Sequence, residues 1–295
     1  MFEWLGITPQ GLFGQILVGL INGSFYAILS LGLAIIFGLL NIVNFAHGAQ
    51  YTMGAFVAWM AATYAGIGYW WSLLLAPLVV GLIGIALELT MLRRLYRSDH
   101  VYGLLLTFGL ALIVEGGLRQ SFGISGERYD IPEQLTGAVN LGFMVLPIYR
   151  AWVVLASMSL CLVTWFIIER TKLGAYLRAG TENPSLLRAF GVNVPLLVTL
   201  TYGFGAALAA LAGVLAAPIF QVNPVMGSNL LIVVFAVVVV GGLGSIAGAI
   251  VTGVGLGLVE GLTKVFYPEA SSVVIFVAMV IVLMLRPRGL FGKDV

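Results

Sequence analysis

Apolar residues along this chain come in long blocks, not in the two-residue alternation of half-buried strands. Blocks on the order of 20 residues, the length a helix needs to cross the hydrocarbon of a bilayer, are bounded by charges, prolines or turn clusters at 11–39, 50–66, 72–92, 101–121, 149–168, 195–217, 229–243, 246–263 and 271–286. They predict an all-α, multi-pass transmembrane helical bundle. Residues 11–50 hold no charged side chain, yet they include Asn22, Asn41, Asn44, His47 and several glycines. That stretch is too long for one ordinary span. It reads as a span followed by a broken or re-entrant helix near the N-terminus, or as two spans, so the expected total is nine or ten.

Composition turns the pattern into an exclusion. The 295 residues are 61% hydrophobic and 9% charged, with a mean hydropathy of +1.09, whereas soluble domains average about 45–50% apolar and roughly 25% charged. A soluble enzyme, a nucleic-acid binder and a disordered chain are all excluded. The formal net charge of +2 implies no polyanionic partner, and the single cysteine, Cys161, permits no intrachain disulfide. A cleaved signal peptide is not expected, because the N-terminus carries Glu3 and the first basic residue is Arg93.

Basic side chains then orient the bundle. Arg93, Arg94 and Arg97 share one loop, Arg170, Lys172, Arg178 and Arg188 a second, and Arg286, Arg288 and Lys293 the tail. Nine spans put these ten of the fourteen basic residues on the cytoplasmic side, with the C-terminus inside. A tenth span moves only the N-terminus. Within one domain over 1–295, two polar segments stand out: an external loop at 122–148 and a cytoplasmic one at 169–194.

The cytoplasmic segment is the more informative. Residues 173–181 read as a short helix, Pro184 interrupts it, and 185–190 read as a second short helix stopped by Gly191 in the left-handed region. The product is a helix–turn–helix elbow beneath the bilayer. Composition alone fits a plain amphipathic linker. The sharper reading is a docking element whose small residues Gly174, Ala179, Gly180 and Ala189, on an exposed face, let another chain approach.

Other positions carry paired readings. Asn41, Asn44 and His47, at i, i+3 and i+6, share a helix face or cap backbone groups freed at a helix break; they line a path or hydrogen-bond between helices. Gly253, Gly257 and Gly261 form GxxxGxxxG, and Gly19 and Gly23 a further pair, a pattern that lets helices approach closely. Gly241, Gly242 and Gly244 precede Ser245 in a GGLGS run that predicts a tight turn or hinge. Glu115 and Glu260 each have a base at i+4, Arg119 and Lys264; they read as snorkelling pairs or as guides for an ammonium group. No P-loop, HExxH or EF-hand pattern occurs. Ser125 in GISG has no histidine suitably placed to make it a nucleophile, and two distant histidines with one cysteine make no metal site.

Several runs together carry a family resemblance: YAILSLGLAIIFGLLNIVNFAHGAQYTMGAF, LGAYLRAGTENPSLLRAFGVNV, FAVVVVGGLGSIAGAIVTG and RPRGLFG. They resemble the permease subunits of branched-chain amino acid ABC importers, the LivH/LivM family, and the NFAHG run favours the LivH type. The similarity spans residues 11–293. It implies a subunit of the bacterial inner membrane that is not itself catalytic and moves substrate by alternating access; the candidates read from the residues themselves for its path are Asn41, Asn44, His47, Glu115 and Glu260. It implies ATPase coupling through Gly174, Arg178, Ala179, Glu182, Asn183, Ala189 and Gly191. The implied partners are a LivM-type permease subunit, two LivG/LivF-type ATP-binding subunits that hold ATP and Mg, and a periplasmic binding protein that docks on 122–148 and 218–228. From the residues alone, a self-sufficient secondary transporter or channel for a small polar solute stays open.

Overall fold

The computed structural model describes residues 8–40, 43–96, 98–142 and 144–292. Among the described residues twelve α-helices follow one another: α1 Pro9–Leu40, α2 Ala46–Ala65, α3 Tyr69–Leu87, α4 Arg93–Leu95, α5 His100–Phe122, α6 Ile148–Arg170, α7 Lys172–Glu182, α8 Pro184–Ala189, α9 Val194–Phe220, α10 Met226–Gly241, α11 Ile246–Phe266 and α12 Val274–Leu285. A π-helical turn, Glu88–Leu92, joins α3 to α4, so Tyr69–Leu95 is one continuous rod.

Six of these rods are long and apolar enough to cross a membrane: Pro9–Leu40, Tyr69–Leu95, His100–Phe122, Ile148–Arg170, Val194–Phe220 and Ile246–Phe266. The expectation of nine or ten spans exceeds that number. Helix α12 has 12 residues, about 18 Å at 1.5 Å per residue against a hydrocarbon core of about 30 Å. Helix α10 has 16. Helix α2 has the length, at 20 residues, but His47, Gln50 and Thr52 lower its apolarity. The stretch read as a broken or re-entrant helix also differs. Helix α1 runs unbroken for 32 residues, and the next helix begins only at Ala46. Between the two helices only residues 43–45 are described, and they are not helical; Asn41 lies outside the described residues. The fold is all-α but for a short hairpin in the 122–148 segment, Ala138–Asn140 antiparallel to Val145–Pro147.

The chain forms two compact units. One is drawn from segments 1–30, 131–161 and 233–295. Its contacts are made at backbone distance. The GxxxGxxxG face of α11 lies on the first half of α1: a Cβ at Gly253 would stand 2.6 Å from Ala27 Cα, one at Gly19 2.6 Å from the Gly257 carbonyl, and one at Gly257 would overlap Gly23. The GGLGS run is a tight turn. Gly242 (φ +102°) and Gly244 (φ +80°) take left-handed conformations, and the Ser245 hydroxyl caps α11 by accepting the Gly248 N–H at 3.1 Å. The segment after α12 returns over this turn, where Leu290 and Phe291 donate backbone N–H groups to the carbonyls of Val240 and Gly241 at 2.8 and 3.1 Å.

The other unit, from segments 31–130 and 162–232, centres on α2, α3 and α9. Small residues again set the spacing. Gly54 of α2 lies against Ala210 of α9, Gly213 of α9 against the Tyr51 carbonyl, and Gly81 of α3 against the Gly203 carbonyl at 3.2 Å. At one end, Glu127 and Val222 exchange two backbone hydrogen bonds of 2.7 and 2.8 Å, tying the start of the 122–148 segment to the turn after α9.

Because Gly257 meets backbone and Gly255 meets open space, Gly257→Leu is expected to cost about 1–3 kcal/mol or more through overpacking, while Gly255→Ala leaves the melting temperature of the purified protein nearly unchanged. Thermal unfolding in one detergent checks the pair; equal effects would remove the close-approach argument.

Candidate functional site

The 169–194 segment folds as two short helices set at an angle, each with its own cap. Thr171 accepts the Leu173 N–H at 3.3 Å to start α7. The Asn183 side chain accepts the Leu186 N–H at 3.0 Å to start α8, and Pro184 supplies the first residue, where no N–H is needed. Gly191, at φ +81°, ends the second helix. The proline and the glycine fall where the sequence pattern put them, while the two side-chain caps appear only in the structure.

The facing of the elbow does not follow the sequence expectation. Gly174 and Gly180 are buried. A Cβ on Gly174 would overlap the Ile168 carbonyl, and one on Gly180 would touch Leu187, Leu39 and Leu197 at 3.5–3.8 Å. These two glycines seat the elbow; they are not an open landing face. The sequence missed this because α7 is only three turns long and nothing local distinguishes its two small-residue edges. Leu187, 5% exposed, pins α8. Arg178 reaches back to Glu169 at 3.3 Å, so its charge is spent on holding α7 to the end of α6. Also outward are Glu182, Asn183, Ala189 and Gly191, with Leu173 and Tyr176 of α7 exposed too and, barer still, Leu186 at 54% and Phe190 at 78%. The i, i+4 spacing of Leu186 and Phe190 was legible, but apolar residues in an amphipathic segment default to burial.

A second group lies around the start of α2. Asn44 caps the helix, its side-chain oxygen accepting the Ala46 N–H at 3.1 Å. His47, Gln50 and Tyr51 are almost wholly buried, as is Tyr202 from α9. The His47 ring sits beside Gly32 of α1, where a Cβ would come within 2.9 Å of both His47 Cε1 and the Gly205 carbonyl. Gln50 Nε2 donates to the Tyr202 hydroxyl at 3.3 Å. Gln50 Oε1 and the Tyr51 hydroxyl find no partner among the described residues. Such concentrated polarity inside an apolar bundle is costly, and Gln50, Tyr51 and Tyr202 were not singled out in the sequence, because only the fold brings α2 and α9 together.

The two carboxylates expected on the path belong to different units. Glu115 pairs with Arg119 at 2.7 Å and lines a cavity of about 220 Å³ with Phe45, Gly48, Thr52, Leu112 and Leu231. The structure therefore places Glu115 near the start of α2. Glu260, in the other unit, accepts hydrogen bonds from Tyr26 at 2.8 Å and Lys264 at 2.5 Å. A third carboxylate, Glu88, is fully buried on the π-turn. Arg93 holds it with two bonds of 3.2 and 3.1 Å, and Tyr96 and Thr199 donate to it at 2.9 and 2.7 Å. This network ties the end of the Tyr69–Leu95 rod to α9.

On the 122–148 side, burial raises the Tyr129 phenol above its ordinary value, so it stays protonated at neutral pH.

A family model described as "Branched-chain amino acid transport system / permease component" matches residues 15–283. The high-affinity branched-chain amino acid transport system permease protein LivH of Escherichia coli K12 is 28% identical over 295 residues, with 95% of each chain covered. The corresponding BraD protein of Pseudomonas aeruginosa is 29% identical with 95% of each chain covered. LivM of Salmonella typhimurium is 28% identical, with 90% of this chain and 67% of its own length covered. No solved structure matches.

The buried seat of the elbow separates two otherwise similar substitutions. Gly174→Val is expected to lower the yield of folded, membrane-inserted protein several-fold, because the side chain meets the Ile168 backbone. Ala189→Val, on an exposed position, is expected to leave yield unchanged. Monodispersity on size exclusion checks both.

Proposed function

The chain belongs to the family of permease components of branched-chain amino acid transport systems, and from that premise we propose that it is the membrane-spanning subunit of an ATP-driven ABC importer for branched-chain amino acids. The observation that carries the reading is the elbow: a capped, rigid helix pair seated on the bundle through Gly174, Gly180 and Leu187, with Leu186 and Phe190 left bare. Exposed large apolar side chains on a polar segment are what a partner's cleft would cover. Hydrolysis of ATP then belongs to separate nucleotide-binding subunits that grip this ridge with Mg and ATP of their own.

A second, related permease subunit completes the pathway, in keeping with the presence of both LivH and LivM among the relatives. An external binding protein delivers substrate to the polar 122–148 segment and the 218–228 turn, which the Glu127–Val222 bridge links at its start. In this reading the 122–148 segment looks to the periplasm of a bacterial inner membrane, and the elbow and C-terminus to the cytoplasm, a placement that the clustering of basic residues supports.

The translocation path runs past the polar cluster of α2 and α9. With Asn44 and His47 buried in this conformation, the path is shut, and alternating access opens it by separating surfaces that touch here. Glu115, beside the smaller cavity, offers a carboxylate to a substrate ammonium group, while its aliphatic walls accommodate a branched side chain. Movement of the elbow drives the opening only if the ATP-bound and ATP-free partners hold it with different free energies.

In the reconstituted assembly, Phe190→Ala and Gly191→Trp are expected to cut ATP-driven uptake of leucine about tenfold or more, with assembly insertion unchanged and ATP hydrolysis no longer stimulated by the loaded binding protein. The chain alone in liposomes is expected to move no solute under an ion gradient; substrate-specific uptake there would overturn the reading.

A further inference from the structure

Four membrane-length rods begin or end around one cavity. Helix α1 closes at Leu40, the α3–α4 rod at Leu95, α5 opens at His100 and α9 at Val194. The cavity, of about 690 Å³, therefore lies at the level where spans leave the hydrocarbon, and the elbow forms one of its walls through Gly180, Pro184 and Arg188.

Its chemistry is two-sided. Leu39, Leu40 and Val198 give it an apolar wall, while Arg93, Arg94 and Arg188 bring three guanidinium groups to the same lining. The one carboxylate among them, Glu88, is saturated by Arg93, Tyr96 and Thr199 and cancels Arg93. Arg94 and Arg188 pair with no carboxylate among the described residues, so the lining keeps two uncompensated positive charges. They come from separate elements, Arg94 from α4 and Arg188 from α8. Two like charges around one concavity repel, unless an anion sits between them. Arginine forks suit phosphate oxygens in particular, and basic groups at the ends of spans attract anionic headgroups.

We propose that this cavity binds a phosphate-bearing anion at headgroup depth, and that the bound anion bridges Arg94 to Arg188 and so fixes the elbow to the bundle. The apolar wall adds a place for the glycerol and first methylenes of a lipid, and an inorganic phosphate would use the arginines alone. The site is distinct from the outward ridge of Leu186 and Phe190 and does not depend on what the transporter carries. Its occupancy would set how stiffly the elbow is held, giving the membrane or the phosphate pool a hand on coupling.

The test uses the full chain in nanodiscs of purely zwitterionic lipid, of the same lipid with phosphatidylglycerol, and of the first kind with added inorganic phosphate. Readouts are lipid retained on the protein by native mass spectrometry and amide exchange over residues 184–192. Phosphatidylglycerol is expected to be retained and to slow exchange, and Arg94→Gln with Arg188→Gln to weaken retention about tenfold; both side chains are exposed and pair with no carboxylate among the described residues, so the variant is expected to fold. Arg170→Gln with Lys172→Gln, outside the lining, controls for general charge. Slowing by inorganic phosphate alone, lost in the arginine variant, also supports the site and assigns it to the free anion. Unselective lipid retention with no response to phosphate, or anion effects that survive the arginine substitutions, would overturn it.

Discussion

Backbone-to-backbone approach at small residues is the contact on which this molecule depends. Apolar side chains gain little by leaving lipid for protein, so helices in a bilayer are held by dispersion and by the few polar bonds they can share. Both demand proximity. Gly257 on Gly23, Gly213 on Tyr51 and Gly54 on Ala210 supply it, each at a distance that a side chain would abolish. Many of the chain's 38 glycines serve as such meeting points, and others mark turns such as Gly242–Gly244.

Proximity has a consequence for the polar groups. Once α2, α3 and α9 are drawn together, the carboxylate of Glu88 and the side chains of Asn44, His47, Gln50 and Tyr202 are sealed from water. Glu88 is answered completely, by a guanidinium and two hydroxyls, and behaves as a rivet. The group around α2 is answered only in part, leaving Gln50 Oε1 and the Tyr51 hydroxyl without partners among the described residues. The two networks thus differ in how far the fold satisfies the polar groups it buries.

The elbow is built by the same economy. Two glycines and one leucine seat it, side-chain caps close its helix ends, and Arg178 braces it against Glu169. Rigidity in a segment outside the bundle is needed if force applied there is to reach the membrane; a flexible linker would absorb it. Belonging to a family of transport permeases gives that rigidity its meaning.

Much of this was written locally in the chain. Long apolar blocks in a sequence with 9% charge leave only membrane-spanning helices, and Pro184, Asn183 and Gly191 mark the elbow's internal boundaries because capping and φ preferences act over three or four residues. The i, i+4 glycine ladder of α11 was likewise readable as a contact face. Tertiary structure decided the rest. It made α1 one unbroken rod to Leu40, turned Gly174 and Gly180 inward, left Phe190 bare, and gathered Arg94 and Arg188 about one cavity although 93 positions separate them in sequence. Periodicity tells which residues share a face, but which neighbour that face meets is fixed by contacts between distant segments, and those depend on packing that no local pattern encodes.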